Sequence, residues 1–409
     1  MATIQIELFT DDPDQVAALR AYWDLAEDGQ WAATVTAVRQ QFGLTNREMQ
    51  RIVQEAGQAS VPEVTCPDCG TPWEVTSRSH YSDLIRRGNT ACAACQAVAH
   101  QARLAAAREL DVRQRAALKE AFPVYSDAEV EVDQLTLAQA VMLHALFSDP
   151  AVEDQGLTTP TDIWPKELPW APSSLRYDYE RSLLHARPPV ILAHPNSHVS
   201  AFVWKDGEPD GTFYLGRVNY YLLGPEDNLP DRAPRLIDDL NRTFREGPWP
   251  EAWLQQWRDL WNELTLAYAA TYLDMKLGEH HLEMKQGDGT KTALADALAT
   301  FSLGQVFNFI YRAAKDSAAY YQRGGVNKRQ AANSTVGRIS ASADRARANG
   351  WEIKSFGMPW NLPLSAVGQV FFDKVMWVPD MMGVPANTAH PPPHAWICDS
   401  ALSDPDVEG

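Results

Sequence analysis

Four of the five cysteines in this 409-residue chain fall into two C-x-x-C pairs, Cys66/Cys69 and Cys92/Cys95, with 22 residues between the pairs. Each pair sets two thiolates on one tight turn, and two such turns close a tetrahedral four-sulfur site of the kind structural zinc favours. Any fold of this chain must therefore bring residues 66 and 95 together. Gly70, directly after the first pair, suits the left-handed backbone of such a turn. Four thiolates leave no open coordination position, so the expected zinc is structural and not catalytic. The alternatives are an iron–sulfur cluster and a redox dithiol, and the latter needs only one pair, in a thioredoxin-like βαβ setting that the flanking sequence lacks.

The segment resembles a zinc ribbon over residues 65–96. That resemblance implies a rigid loop between the pairs presenting Arg78, Arg86 and Arg87 to phosphates. Ordinary solvated loop charges account for the same arginines equally well.

Upstream, residues 13–58 read as three helices. Val16, Leu19, Trp23 and Leu25 recur at helical spacing, a second helix stops at Gly43, and Thr45 with Glu48 forms a capping-box pattern opening a third. The short Gly-Leu-Thr turn between the last two resembles a helix-turn-helix. In that motif the start of the second helix reads base edges, which here means Asn46, Arg47, Gln50 and Arg51. A three-helix unit for protein contact is the alternative.

Downstream, Ala- and Arg-rich residues 96–122 read as exposed basic helix, and LTLAQAVMLHALF as core helix. A helix followed by aromatic runs flanking KDGEPDG resembles a winged helix, with a hairpin at the Gly-Pro-Asp turn. Trp249, Trp253, Trp257 and Trp261 repeat every four residues, a stripe that buries one helix face. Helices from 293 to 323 and from 327 to 349 follow, capped by Ser302/Gln305 and Asn327/Gln330 and stopped at Gly350.

The net charge of −17, from 36 basic and 53 acidic residues, opposes non-specific polyanion binding. Local charge differs: residues 76–122 carry eight Arg and Lys against four acids, and residues 311–354 nine against three. In the second island Lys328, Arg329, Arg338 and Arg345 accompany Tyr311, Tyr320 and Tyr321, a combination suited to nucleic-acid backbones and bases, or to a plain solvated face.

The expected fold class is mainly α and multidomain. The expected units are a helix-turn-helix (1–60), the zinc ribbon and basic helix (61–122), a winged-helix-like α+β domain (123–245), a helical domain (246–385) and a flexible tail (386–409). The functional expectation is a zinc-stabilised, regulatory or accessory protein recognising nucleic acid, principally double-stranded DNA, with a protein partner or homo-oligomer as a further possibility. Glu283-Met284-Lys285, with Asp274 upstream, matches an E-x-K nuclease pattern but sits in a helical stretch, so a metal-dependent nuclease stands as an alternative beside a protein-interaction scaffold. The pairs His194/His198 and His390/His394 lack a third ligand, and Cys398 is expected to be incidental. With no apolar run long enough for a bilayer, no leader-like start and few cysteines, the expected compartment is the cytoplasm.

Overall fold

The computed structural model describes residues 3–87, 91–124, 128–148, 156–225 and 229–396, the side chain of Arg87 excepted. The described residues are mainly helical with a few small sheets. They form two compact units, Met1–Val112 and Arg113–Gly409.

In the first unit, β1 (Gln5–Leu8), β2 (Gly57–Thr65) and β3 (Pro72–Val75) make an antiparallel sheet in the order β1-β2-β3. Helices α1 (Pro13–Trp23), α2 (Val35–Gln41) and α3 (Asn46–Glu55) pack with it. Asp12 caps α1, accepting from the backbone N–H of Asp14 at 2.9 Å and Gln15 at 3.4 Å, with Pro13 at the first helical position. The Thr45/Glu48 capping box is present, Glu48 accepting from Thr45 N at 2.7 Å. Leu19, Trp23, Val38, Met49, Ile52, Val61 and Leu84 form one buried cluster. Strand β2 crosses residue 60 without a break, so the helix trio and the cysteine segment share that core. The third helix ends before Gly57, where a Cβ would lie 2.6 Å from Glu7 O and 2.6 Å from Leu19 Cδ2, so β1 and α1 approach more closely than any other residue permits.

The stretch between the cysteine pairs is β3 followed by helix α4 (Arg78–Arg87), not a ribbon loop. Ser77 starts α4 by accepting from His80 N at 3.1 Å. Helix α5 (Ala93–Ala121) follows, and the division between the units falls within it.

In the second unit α6 (Leu137–Phe147) is apolar on every side and buried from Ala140 through Phe147. A helix of that composition has to lie inside a core. Around this core lie α7 (Arg176–Leu184), α8 (Leu229–Glu246) and α9 (Glu251–Glu279), followed by α10 (Asp288–Leu298), α11 (Leu303–Gln322) and α12 (Lys328–Asn349). Trp249, Trp253, Trp257 and Trp261 are all buried, as their spacing predicts, although Trp249 precedes the helix. The Ser302/Gln305 and Asn327/Gln330 boxes and a left-handed Gly350 delimit α11 and α12. Helix α13 (Ala366–Gln369) continues as a π-helical turn over Val370–Val375.

The hairpin expected at KDGEPDG is β5 (Phe202–Lys205) with β6 (Glu208–Phe213), turning on Asp206 (φ 53°) and Gly207 (φ 87°) as two-residue hairpins do. The run TFYLGRVNYYL does not continue as one arm. Its β7 (Tyr220–Leu222) pairs instead with β4 (Ile191–Ala193), after a break at Gly216. The tail also differs from expectation as far as residue 396. His394 Nε2 lies 2.8 Å from Phe244 O, Trp249 N donates to Ala395 O at 3.2 Å, and Ala386, Ala389 and Ala395 are buried. Residues 397–409, with Cys398, lie outside the described residues.

Candidate functional site

The four cysteines converge. Cys66 directly follows β2 and opens a knuckle in which Cys66 N donates to Thr71 O at 2.8 Å and Gly70 N to Cys66 O at 2.9 Å, Gly70 taking φ 73°. The second pair sits on a helix start rather than on a second hairpin. Cys92 immediately precedes α5, Cys95 lies in its first turn, and Cys95 N approaches Cys92 Sγ at 3.5 Å.

All four sulfurs lie within 4.8 Å of one another, with Cys69 Sγ and Cys92 Sγ 3.8 Å apart. A tetrahedral ion with metal–sulfur bonds of about 2.3 Å has sulfur–sulfur edges of about 3.8 Å. A disulfide would bring the sulfurs to about 2.05 Å. The electrostatics agree with a cation at the centre. The Cys92 backbone N–H, 3.2 Å from Cys66 Sγ, pulls the Cys66 thiol down to about 6, and the Thr71 hydroxyl, 3.3 Å from Cys69 Sγ, lowers Cys69. Contacts with the Cys69 and Cys92 sulfurs push Cys95 up. Thiolates this close repel one another unless a cation neutralises them. The arrangement fits a structural metal ion held by four sulfurs. Among the described residues no other group of three or more His, Cys, Asp or Glu side chains gathers for a metal.

Asn46, Arg47, Gln50 and Arg51 are all exposed on the outer face of α3, while Met49 and Ile52 anchor its inner face. Helices α2 and α3 are joined through Gly43 at φ 68°. One edge of α3 is acidic: a cleft of about 750 Å³ beside Arg51 is lined by Asp12, Asp14, Glu48 and Glu55. The acidic start of α1 thus borders one side of the α3 face.

Arg78 leaves the candidate set. Only 7% exposed, it donates through Nε to Tyr22 O at 2.7 Å, through Nη1 to Ala33 O at 2.5 Å and through Nη2 to Ala21 O at 3.3 Å. Its guanidinium also lies over the Tyr22 and Trp31 rings, 4.8 and 4.5 Å from their centroids. It clamps α4 to the end of α1 and to the chain before α2, and does not reach outward to a phosphate. Arg86 is exposed on α4, paired with Asp83 at 2.5 Å, and Arg87 ends the same helix. On α5, residues 96–110 are exposed without interruption, among them Arg103 and Arg108.

In the second unit Lys328 and Arg329 are exposed at the start of α12 and Arg345 near its end. Arg338 is half-buried, its guanidinium 5.7 Å from the Tyr320 ring centroid. Glu283 and Lys285 lie exposed in the coil after α9 and form no metal cluster with Asp274. His194 is buried, and burial pushes it down to about 4.

The chain matches no protein-family model, no curated protein and no solved structure. No helix among the described residues is long and apolar enough to cross a membrane.

Proposed function

We propose that the N-terminal unit is a zinc-stabilised module that binds double-stranded DNA through α3, in a regulatory or accessory role in the cytoplasm. The observation that carries the reading is the outward face of α3, where Asn46, Arg47, Gln50 and Arg51 stand exposed together on a helix fixed by a buried inner face. Asn, Gln and Arg are the side chains that make two-point contacts to base edges, and a major groove admits one helix. In this reading α2 and α3 serve as a helix-turn-helix. The metal is zinc, because four thiolates at tetrahedral spacing are the soft ligand set it favours.

The zinc centre acts at one remove. It ties the β2–β3 knuckle to the start of α5, holding Arg86 and Arg87 on α4 and Arg103 and Arg108 on α5 as auxiliary phosphate contacts. The α7–hairpin unit as a winged helix, and Lys328, Arg329, Arg338 and Arg345 as a second nucleic-acid face, belong to the same proposal at lower priority. The acidic edge at Asp12 and Asp14 directs the duplex toward the Asn46–Gln50 side of α3. The test is fluorescence anisotropy of the metal-loaded chain with duplex DNA, single-stranded DNA and RNA at low salt. Duplex binding weakened by Arg47→Ala supports the reading, and absence of duplex binding ends it.

One observation favours a second reading, a protein-interaction scaffold. Helix α5 exposes Val98 (69%) and Val112 (68%), apolar residues that a partner helix would cover. A protein partner bound equally well by wild type and Arg47→Ala, with no DNA binding, would favour it.

A further inference from the structure

A pocket of about 340 Å³ opens in the second unit, lined by none of the candidate site residues above, and its size falls in the usual range for small-molecule sites. One wall is a single helical stripe running from α13 into the π-helical turn: Ala366, Gln369, Val370, Asp373 and Lys374. The turn is widened, Met376 N donating back five residues to Phe371 O at 2.9 Å. Such turns recur at functional sites. Ala366 and Val370 are buried, whereas Gln369, Asp373 and Lys374 are exposed, so the stripe runs from an apolar floor to a polar rim. Trp164, Pro165 and Leu168 add apolar surface to the lining.

The end of α6 supplies a hydrogen-bonded chain at the same pocket. Ser148 Oγ lies 3.1 Å from His144 Nδ1, and His144 Nε2 lies 2.9 Å from Asn241 Oδ1. With the amide oxygen as acceptor, Nε2 carries the proton and the Ser148 hydroxyl donates to Nδ1. Serine, histidine and an orienting group in this order also occur in acyl transfer. Here Ser148 caps the C-terminal end of its helix, whose carbonyls disfavour a developing oxyanion. The chain is therefore a fixed neutral lining.

We propose that this pocket binds a small monocarboxylate with an apolar body, its head at Lys374 and its body between Trp164, Leu168 and Val370. Lys374 is the cation of the lining, and neither it nor Asp373 is in an ion pair among the described residues. Partial burial of its ammonium, and after it the positive charge of Arg245, lower the Lys374 pKa. A bound carboxylate relieves the repulsion. A dianion such as phosphate fits less well, because Asp373 stands beside the head position and finds its own charge disfavoured by burial.

The test is isothermal titration calorimetry of the metal-loaded full chain with 3-phenylpropanoate and with the neutral 3-phenylpropanamide. The acid is expected to bind saturably and at least about tenfold more tightly than the amide. Lys374→Met, at an exposed position, should abolish that preference while leaving the amide affinity unchanged. The proposal is overturned if the acid shows no saturation by about 10 mM, if acid and amide bind wild type equally, or if Lys374→Met retains the preference.

Discussion

Replacing Arg78 by alanine separates an inward clamp from an outward phosphate contact. The side chain makes two short charge-assisted bonds, to Tyr22 O at 2.7 Å and Ala33 O at 2.5 Å, a longer one to Ala21 O at 3.3 Å, and packs on two aromatic rings. The short bonds contribute about 1 kcal/mol net each and the ring contacts about 1 kcal/mol together, so the loss is about 3 kcal/mol. Backbone hydrogen exchange read by mass spectrometry on the full chain reports the two units separately. Amides of α1, α3 and β2 should exchange roughly a hundredfold faster in Arg78→Ala, while those of α9 and α11 should not change. Unchanged exchange in the first unit, with DNA binding lost, would refute the clamp and restore Arg78 to the phosphate-contacting set.

The other expectations concern the metal, the acidic cleft and a buried histidine. Metal analysis should find one zinc per chain, and Cys66→Ser or chelation should loosen the knuckle and the start of α5 while α1–α3 persist on their own apolar cluster, as circular dichroism and hydrogen exchange would register. Asp14→Asn, which removes a negative charge beside α3, should raise duplex affinity about two- to threefold at low salt, an effect that fades as salt rises. Burial depresses His144 to about 4, so the unfolded chain takes up the proton first and stability is lost as pH falls from 6.5 toward 4, by up to about 3 kcal/mol. Denaturant midpoints of wild type and His144→Gln, measured against pH, should change relative to one another only across that window, and a constant difference would show that His144 titrates normally.

Sequence patterns with strict local geometry were the most legible. Capping pairs at Thr45/Glu48, Ser302/Gln305 and Asn327/Gln330 each mark a real helix start, because the reciprocal bonds need only a three-residue spacing. The cysteine pairs announced their cluster for the same reason. Strand β1 was missed because its four residues, QIEL, are stabilised by pairing with β2 some fifty positions away. The segment between the cysteine pairs became a helix because Tyr81 and Leu84 find a core built from distant elements. Arg78 was misread since an arginine's burial depends on carbonyls contributed by α1 and by the chain before α2. The pocket at His144 had a faint signal, one histidine in a largely apolar helix, but the rest of its lining comes from distant positions such as 164 and 370.

The measurement closest to the central claim is the salt dependence of duplex binding by the zinc-loaded chain, with Arg47→Ala/Arg51→Ala beside wild type. The account predicts affinity that falls linearly with salt on logarithmic axes, and a double variant that binds more weakly at every salt concentration with a nearly unchanged slope, because base-edge contacts are lost while the phosphate contacts remain. Equal affinity for both proteins, or no duplex binding at low salt, would contradict it.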